Sequence, residues 1–162
     1  MKKGIWLLLI ALLLTGCGTS EVLETVSDEH VQEVLAPVRE ILVELPDEAA
    51  VPAVEGDSGQ IYLCRDYEIT LQTLDGGDLN ATIESLSGYE RDKLTVISSE
   101  ARGIKRYDFV WVTAGERGDR LGRAVILDDG NYHYTMTVLR DADTTENSQG
   151  VWRTVFESFS LL

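Results

Sequence analysis

Residues 121–139, LGRAVILDDGNYHYTMTVL, decide the fold, because they describe two strands joined by a tight turn. Apolar residues run up to Leu127 and resume at Tyr132, and the residues between them, Asp128-Asp129-Gly130-Asn131, are typical of a hairpin turn. The second strand alternates, with Tyr132, Tyr134, Met136 and Val138 on one face and His133, Thr135 and Thr137 on the other. We therefore expect an antiparallel hairpin with one face directed to the core and the other more exposed to water.

Other segments have the composition and alternation of strands. They are residues 40–45, 60–63, 67–74, 94–100 and 107–113. The first is stopped by Pro46 and followed by a loop over residues 46–59, which is rich in proline, glycine and acidic residues. The last continues through a turn at residues 114–119 into the hairpin, so the sequence predicts a three-strand antiparallel meander.

Two segments have helical periodicity. Asp78 can cap a helix whose Leu79, Ile83 and Leu86 fall on one face, and Gly88 stands where a C-terminal glycine belongs. A final helix is predicted from the apolar residues Val151, Trp152, Val155, Phe156 and Phe159, which recur at helical spacing and need a sheet to cover. Helices placed among hairpin-connected strands predict an α+β fold, with a mostly antiparallel sheet and flanking helices.

The order of these elements resembles the Mog1/PsbP-like α/β/α sandwich over residues 40–162. The matching features are a strand ending in Leu45-Pro46, a hairpin, a helix, a strand preceded by the turn at Asp129-Gly130, and a final helix ending in Ser158-Phe159. The chain departs from the family in lacking a Trp soon after Pro46. Members of this superfamily are binding modules, namely photosystem subunits, a small-GTPase partner and bacterial lipoproteins. The resemblance therefore implies a binding role, but it transfers no binding residue to this chain.

The N-terminal residues have the layout of a secretory signal peptide. Lys2 and Lys3 precede an apolar run over residues 5–14, which is too short to span a bilayer. The run ends in Leu14-Thr15-Gly16-Cys17, which resembles the lipobox of bacterial lipoproteins. That resemblance implies cleavage between Gly16 and Cys17 and a diacylglycerol thioether on Cys17, which holds the protein to a bacterial cell membrane outside the cytoplasm.

An ordinary secreted protein and an uncleaved membrane anchor are the alternatives to this lipoprotein. An ordinary cleavage site has a small residue where this chain has Leu14, and an uncleaved anchor has a longer apolar segment. Each buried methylene of a lipid contributes about 0.8 kcal/mol, and one acyl chain holds a protein only weakly. A diacyl group has at least two chains, so anchoring through Cys17 needs no transmembrane helix.

The sequence divides into a signal peptide at residues 1–16, an acidic tether at residues 17–39 and a globular domain at residues 40–162. A short helix is predicted in the tether, over residues 21–36. The chain has a formal net charge of −14, and residues 17–57 hold eleven Asp and Glu against the single basic residue Arg39. A protein surface with this much negative charge repels the phosphate backbones of nucleic acids, so nucleic acid is excluded as a partner.

The sequence offers little for catalysis or metal binding. Its two histidines, His30 and His133, form no recognisable Ser-His-Asp or Cys-His arrangement, and they lack the clustered spacing of a zinc site. Residues 128–131 lack the alternating oxygen ligands of a calcium loop. We expect no catalytic residue, no metal and no cofactor, and we interpret His133 as an exposed strand histidine.

Four other features have a structural and a functional interpretation. Cys64 loses any disulfide partner if Cys17 is lipidated, so it is expected to be a small buried side chain rather than a reactive thiol. Residues 117–119, Arg-Gly-Asp, are better explained as a turn than as an adhesion motif. Trp111 and Trp152 are expected in the core rather than in a ligand pocket. The polar positions Asp108, His133, Thr135 and Thr137 are either a binding surface or a solvated or helix-covered face.

These observations lead to two hypotheses. In the first, the chain is a lipid-anchored binding module whose partner is another envelope or surface protein. In the alternative, it is a small-molecule carrier or sensor with a pocket between the sheet and the C-terminal helix. An enzyme is the least favoured class, because the catalytic inventory is so small.

Overall fold

The computed structural model describes residues 36–116, 118–142 and 149–162, with only the backbone for residues 149 and 150. The helices are α1 (Leu79–Ser87) and α2 (Gln149–Ser158). The strands are β1 (Ile41–Leu42), β2 (Val54–Gly56), β3 (Gly59–Leu63), β4 (Tyr67–Asp75), β5 (Ile97–Ala101), β6 (Ile104–Gly115), β7 (Gly118–Asp128), β8 (Tyr132–Asp141) and β9 (Ser160–Leu161). Two short 3-10 turns cover Asp47–Ala49 and Arg91–Lys93.

Seven of these strands form one sheet in the order β2-β3-β4-β8-β7-β6-β5, and each neighbouring pair is antiparallel. The predicted meander is confirmed as β6, β7 and β8. The chain leaves β4 near the middle of the sheet, passes through α1 and enters β5 at the far edge. β1 and β9 pair separately as a small antiparallel ribbon. The predicted α+β class with a mostly antiparallel sheet is therefore confirmed.

The hairpin between β7 and β8 forms as its turn residues predict. Leu127 pairs with Tyr134, and Gly130 takes a positive φ of 93°, a conformation that glycine adopts without steric cost. One carboxylate oxygen of Asp129 accepts hydrogen bonds from the backbone N–H groups of Asn131 and Tyr132, both at 2.9 Å. The acidic residues of this loop thus stabilise a turn.

The sheet has a hydrophobic cluster on each face, because successive residues of β7 point in opposite directions. Val125 and Leu127 belong to a cluster that includes Val155 and Phe156 of α2. Ala124 and Ile126 belong to a second cluster, which includes Ile83 of α1. One helix therefore covers each face.

This arrangement corrects the prediction for strand β8. The face with Tyr132, Tyr134, Met136 and Val138 is buried, as expected. The opposite face, with His133, Thr135 and Thr137, was expected to be wetter, but it is buried as well. The reason is that β8 lies at the centre of the sheet, where both layers cover it.

The ends of α1 confirm the predicted caps. Asp78 accepts a hydrogen bond from the backbone N–H of Asn80 at 2.9 Å, and Gly88 has a left-handed φ of 77°. The end of α2 is stabilised differently. Arg106 on β6 donates to the carbonyl oxygens of Phe156 at 2.8 Å and Phe159 at 3.2 Å. A side chain from the sheet therefore satisfies carbonyl groups that helix geometry leaves free.

Some predicted boundaries differ from the structure. The segment at residues 40–45 pairs only at Ile41–Leu42, and the loop predicted at residues 46–59 contains strand β2 and a 3-10 turn. The strand predicted from residue 94 starts at Ile97, since Leu94 and Val96 pack into the cluster beneath α1. The signal peptide, the lipidation site and residues 21–35 of the helix predicted over residues 21–36 lie outside the described residues. Ala36, the last residue of that prediction, is described and is not helical.

Candidate functional site

A cleft of about 370 Å³ lies between α2 and the sheet. This is the place where the small-molecule hypothesis expected a pocket. Its walls come from strands β6, β7 and β8 and from one side of the helix. The lining residues are Val110, Leu121, Arg123, Val138, Arg140, Trp152, Arg153, Phe156 and Glu157.

The apolar part of the cleft is built on residues that also hold α2 in place. Phe156 is buried between the helix and the sheet. Trp152 packs edge-on against Tyr67 of β4, with ring centroids 4.8 Å apart and planes at 87°. Trp152 is only half-buried, so it both packs against the core and lines the cleft. The prediction that Trp111 lies in the core is confirmed, since it is buried beside Phe109 in the cluster covered by α1.

Arg123 is fixed by two contacts at the floor of the cleft. Its guanidinium lies 3.8 Å from the centroid of the Phe156 ring, a cation–π contact, and its Nη2 is 3.3 Å from Oδ1 of Asp108. Asp108 also accepts a hydrogen bond from Nε of Arg106 at 2.8 Å. The same Asp108 carboxylate therefore joins Arg123 to the arginine that caps α2.

Two other arginines face the cleft from different elements. Arg140 projects from β8 and Arg153 from α2. Among the described residues, neither side chain makes a hydrogen bond or an ion pair. Glu157 is the one carboxylate that lines the cleft within that part of the chain. The lining therefore carries a local positive charge on a protein whose overall charge is strongly negative.

The polar positions interpreted as either a binding surface or a solvated or helix-covered face do not lie on one face, and the helix-covered alternative is confirmed for those on β8. Asp108 pairs with Val125, whereas His133 pairs with Asp128 on the alternate set of β7 positions. Asp108 therefore lies on the face covered by α2, and His133, Thr135 and Thr137 lie on the face covered by α1. These residues were grouped in the sequence because all of them are polar, but the strand register places Asp108 on one face of the sheet and the β8 residues on the other.

His133 is not the exposed strand histidine that the sequence suggested. Its side chain is buried, and its Nδ1 lies 2.8 Å from the Thr82 hydroxyl of α1. Cys64 is half-buried in the β3–β4 connection, with its sulfur 3.6 Å from the Glu48 carbonyl oxygen. Burial and then the neighbouring Cys64 raise the pKa of the Tyr67 hydroxyl. The described contacts do not bring His133 to Cys64, and the described residues contain no cluster suited to a metal ion.

Beside the cleft, three large apolar side chains are exposed on the half of this face that α2 leaves open. Ile97 on β5 pairs with Asp108, and Val110 and Val112 follow Asp108 on β6 at the spacing that keeps the same face. Their exposures are 68%, 54% and 50%. We call these three residues the apolar strip. Val110 belongs to both features, so the strip and the cleft are continuous.

The three arginines of the cleft were not among the residues predicted from the sequence. A signal was present for two of them, since Arg123 and Arg140 stand at strand positions on the same alternation as Val125 and Val138. Nothing in the local pattern placed Arg153 opposite them. The predicted sites Gly16 and Cys17, together with His30 and Arg117, lie outside the described residues.

Compared with models of known protein families and with curated protein sequences, the chain matches none. No helix within the described ranges is both long enough and apolar enough to cross a bilayer.

Proposed function

We propose that this protein is a lipid-anchored extracytoplasmic lipoprotein, and that its folded domain is a non-catalytic module that binds another protein at the cell envelope. The lipid anchor is supported by the sequence from Lys2 to Cys17, in which a basic start, a short apolar run and Leu14-Thr15-Gly16-Cys17 follow in order. The acidic tether would separate the domain from an anionic membrane by charge repulsion.

The binding role is supported mainly by the apolar strip. Single exposed apolar residues are ordinary, but exposed apolar residues that form a contiguous patch are typical of protein interaction sites. Ile97, Val110 and Val112 are adjacent, and a partly apolar cleft continues the surface. A partner that covers the strip would remove these side chains from water, which contributes about 25 cal/mol per Å² of apolar area.

We further propose that the fold is the Mog1/PsbP-like sandwich. Support comes from the order of a hairpin, α1, the β6–β8 meander and α2, with one helix on each side of the sheet. The ending Ser158-Phe159 has a structural role that suits such a motif. The Ser158 hydroxyl accepts a hydrogen bond from the Glu44 backbone N–H at 2.9 Å, and Phe159 is buried.

Photo-crosslinking in the living cell tests the binding role. A photoreactive amino acid replaces Val112 in the full chain, and the same residue replaces Val54 in a control. Val54 is similarly exposed, at 55%, but lies on β2 at the opposite edge of the sheet. We expect a discrete protein adduct from position 112 that position 54 does not give, and that Val110→Glu abolishes. Equal adducts from both positions, or none from 112, would contradict the proposal.

The lipid anchor has its own test. Cys17→Ser should prevent incorporation of a labelled fatty acid and leave the precursor unprocessed, because no other cysteine occupies the lipobox position. Cys64→Ser is the matched control and should be labelled and processed normally. Continued labelling of the Cys17→Ser chain would show that the lipid is attached at another residue.

The cleft favours a second candidate function, that of a small-molecule carrier or sensor. Its volume of about 370 Å³ lies within the range of roughly 300–1,000 Å³ that is usual for small-molecule sites. Its lining is mainly apolar with a few charged groups, which is the usual composition of such sites.

A further inference from the structure

We propose that the cleft between α2 and the sheet binds an anionic amphiphile, a small molecule with a carboxylate at one end and an apolar body. The inference rests on the second candidate function, that the cleft holds a small ligand. It adds the chemical class of that ligand, which follows from the charges and the shape of the lining.

The first step concerns charge. The described lining contains three guanidinium groups and one carboxylate, so its formal charge is +2 on a chain of net charge −14. Such a local reversal of sign attracts anions to one place on a protein that otherwise repels them. Arginine binds carboxylates especially well, because its planar fork can donate two parallel hydrogen bonds.

The second step concerns which arginines are free to bind. Arg123 is engaged by Asp108 and by the Phe156 ring, so its position is fixed before any ligand arrives. Arg140 and Arg153 have no hydrogen-bond or ion-pair partner among the described residues. Leu121 pairs with Arg140 and Arg123 pairs with Val138, so Arg123 and Arg140 are diagonal neighbours on adjacent strands. Like charges at this spacing repel, and a bound carboxylate would relieve that repulsion.

The third step concerns the apolar body. Trp152, Phe156, Leu121 and Val110 form the apolar surface beside the guanidinium groups. Because Trp152 is held edge-on by Tyr67 and Phe156 is buried, this surface exists before binding and needs little ordering. A purely inorganic anion would leave it uncovered, and a neutral apolar molecule would leave Arg140 and Arg153 without a counter-charge.

Glu157 limits the charge that the ligand can carry. It lines the same cleft one helical turn after Arg153, where its carboxylate repels a second negative group. The lining therefore favours a monocarboxylate over a dicarboxylate or a phosphate of higher charge. Glu157→Gln should remove that repulsion and strengthen binding.

The test uses the full lipidated chain in nanodiscs of zwitterionic phospholipid. Decanoate carrying a diazirine on its hydrocarbon chain is the probe, and decanol with the same diazirine is the matched neutral probe. Labelled positions are read by peptide mass spectrometry, and apparent affinity is obtained by competition with unlabelled decanoate. We expect the carboxylate probe to label residues of β7 and α2 that line the cleft, and to do so far better than the alcohol.

Single substitutions then assign the head group. Arg140→Gln and Arg153→Gln should each weaken competition by about threefold to tenfold, as expected for a charge-assisted contact that remains partly solvated. Glu157→Gln should strengthen it by about twofold to threefold. Arg91→Gln, at an exposed arginine beside α1, is the control and should change nothing.

The outcomes separate the proposals. Preferential, arginine-dependent labelling by the carboxylate supports the anionic amphiphile. Equal labelling by decanoate and decanol, insensitive to Arg140 and Arg153, overturns the inference about class while leaving a small-molecule site. No labelling of the cleft by either probe overturns both the inference and the carrier or sensor function, and it leaves the protein-binding proposal to its own crosslinking test.

Discussion

At the scale of single residues, Thr137 carries a cost that its neighbour Thr135 does not. Both lie on the α1 side of β8 and both are buried. The Thr135 hydroxyl lies 3.5 Å from the Gln72 carbonyl oxygen, whereas the Thr137 hydroxyl has no hydrogen-bond partner in the described part of the chain. A buried polar group without a partner costs about 1–3 kcal/mol.

We expect Thr137→Val to raise the free energy of unfolding by about 1 kcal/mol, since it replaces the unpaired hydroxyl with a methyl group of similar shape. Urea denaturation measures the change. Thr135→Val is the matched control and should give less gain or a loss. A destabilised Thr137→Val chain would show that the hydroxyl is satisfied in solution, for example by water.

The pKa shifts of Asp129 and Tyr134 determine how the stability of the fold depends on pH. The Tyr134 hydroxyl donates to Asp129 at 3.2 Å and accepts from the Arg39 backbone N–H at 2.9 Å. Burial opposes the charged form of Asp129, but hydrogen bonds from Asn131, Tyr132 and Tyr134 hold its pKa below the usual value. Burial is the main cause that raises the pKa of Tyr134, and the negative charge of Asp129 raises it further.

The two shifts act at opposite ends of the pH scale. Asp129 stabilises the fold above its unfolded pKa of about 3.9 and loses this contribution as pH falls through the lower folded value. Tyr134 contributes below about pH 10 and loses its contribution as pH rises through its higher folded value. Asp129→Asn should therefore cost about 1 kcal/mol at pH 7, with the difference from the native chain vanishing in acid. An Asp129→Asn chain that differs from the native chain by the same free energy at pH 7 and in acid would contradict the assignment.

At the scale of elements, local signals predicted most of the fold. The β7–β8 hairpin and α1 could be predicted because their ends are fixed by local residues. Asp129-Gly130 forms the turn of the hairpin, and Asp78 and Gly88 cap the two ends of α1. Strand β2 was missed because Val54–Gly56 is short, exposed and carries no alternation. The burial of His133 was missed because it depends on α1, which is distant in sequence.

The attachment of α2 also depends on a distant residue. Arg106 reaches the carbonyl oxygens of Phe156 and Phe159 and pairs with Asp108, which in turn holds Arg123. Its removal would leave buried or half-buried acceptors without a donor. The element that forms one wall of the cleft is therefore expected to loosen while the sheet stays folded.

We expect Arg106→Gln to accelerate amide hydrogen exchange in α2 by about tenfold to a hundredfold, equivalent to roughly 1.4–3 kcal/mol of lost local stability. Exchange in β7 and β8 should change little, because their ladders remain. Arg91→Gln is the control, since that exposed side chain only approaches Asn80. A uniform acceleration through α2 and the sheet would mean that Arg106 stabilises the whole domain rather than the helix.

At the scale of the whole molecule, the sequence could locate the candidate site but not describe its chemistry. The apolar stripe of α2 required a sheet, and a pocket between the two was predicted by the small-molecule hypothesis. The charge of that pocket was not, because Arg123, Arg140 and Arg153 come from three elements. Only strand register and the placement of α2 bring them together, and neither is encoded by local spacing.

The same charge distribution governs the response to salt. With a net charge of −14, the folded chain repels itself, and salt weakens that repulsion. Salt also weakens attractive ion pairs, but Arg106 and Arg123 meet Asp108 at a carboxylate only 22% exposed, where screening is less effective. Repulsion should therefore be screened more than attraction, and salt should stabilise the fold.

We expect Tm to rise by roughly 3–5 °C between about 0.01 M and 0.15 M NaCl, as the Debye length falls from about 30 Å to about 8 Å. Differential scanning calorimetry of the lipidated chain in a neutral detergent measures the shift. Replacing the exposed Glu84, Glu90 and Glu100 by Gln should raise Tm at low salt and reduce its dependence on salt. A Tm that falls as salt is added would show instead that the ion pairs around Asp108 outweigh the repulsion of the acidic surface.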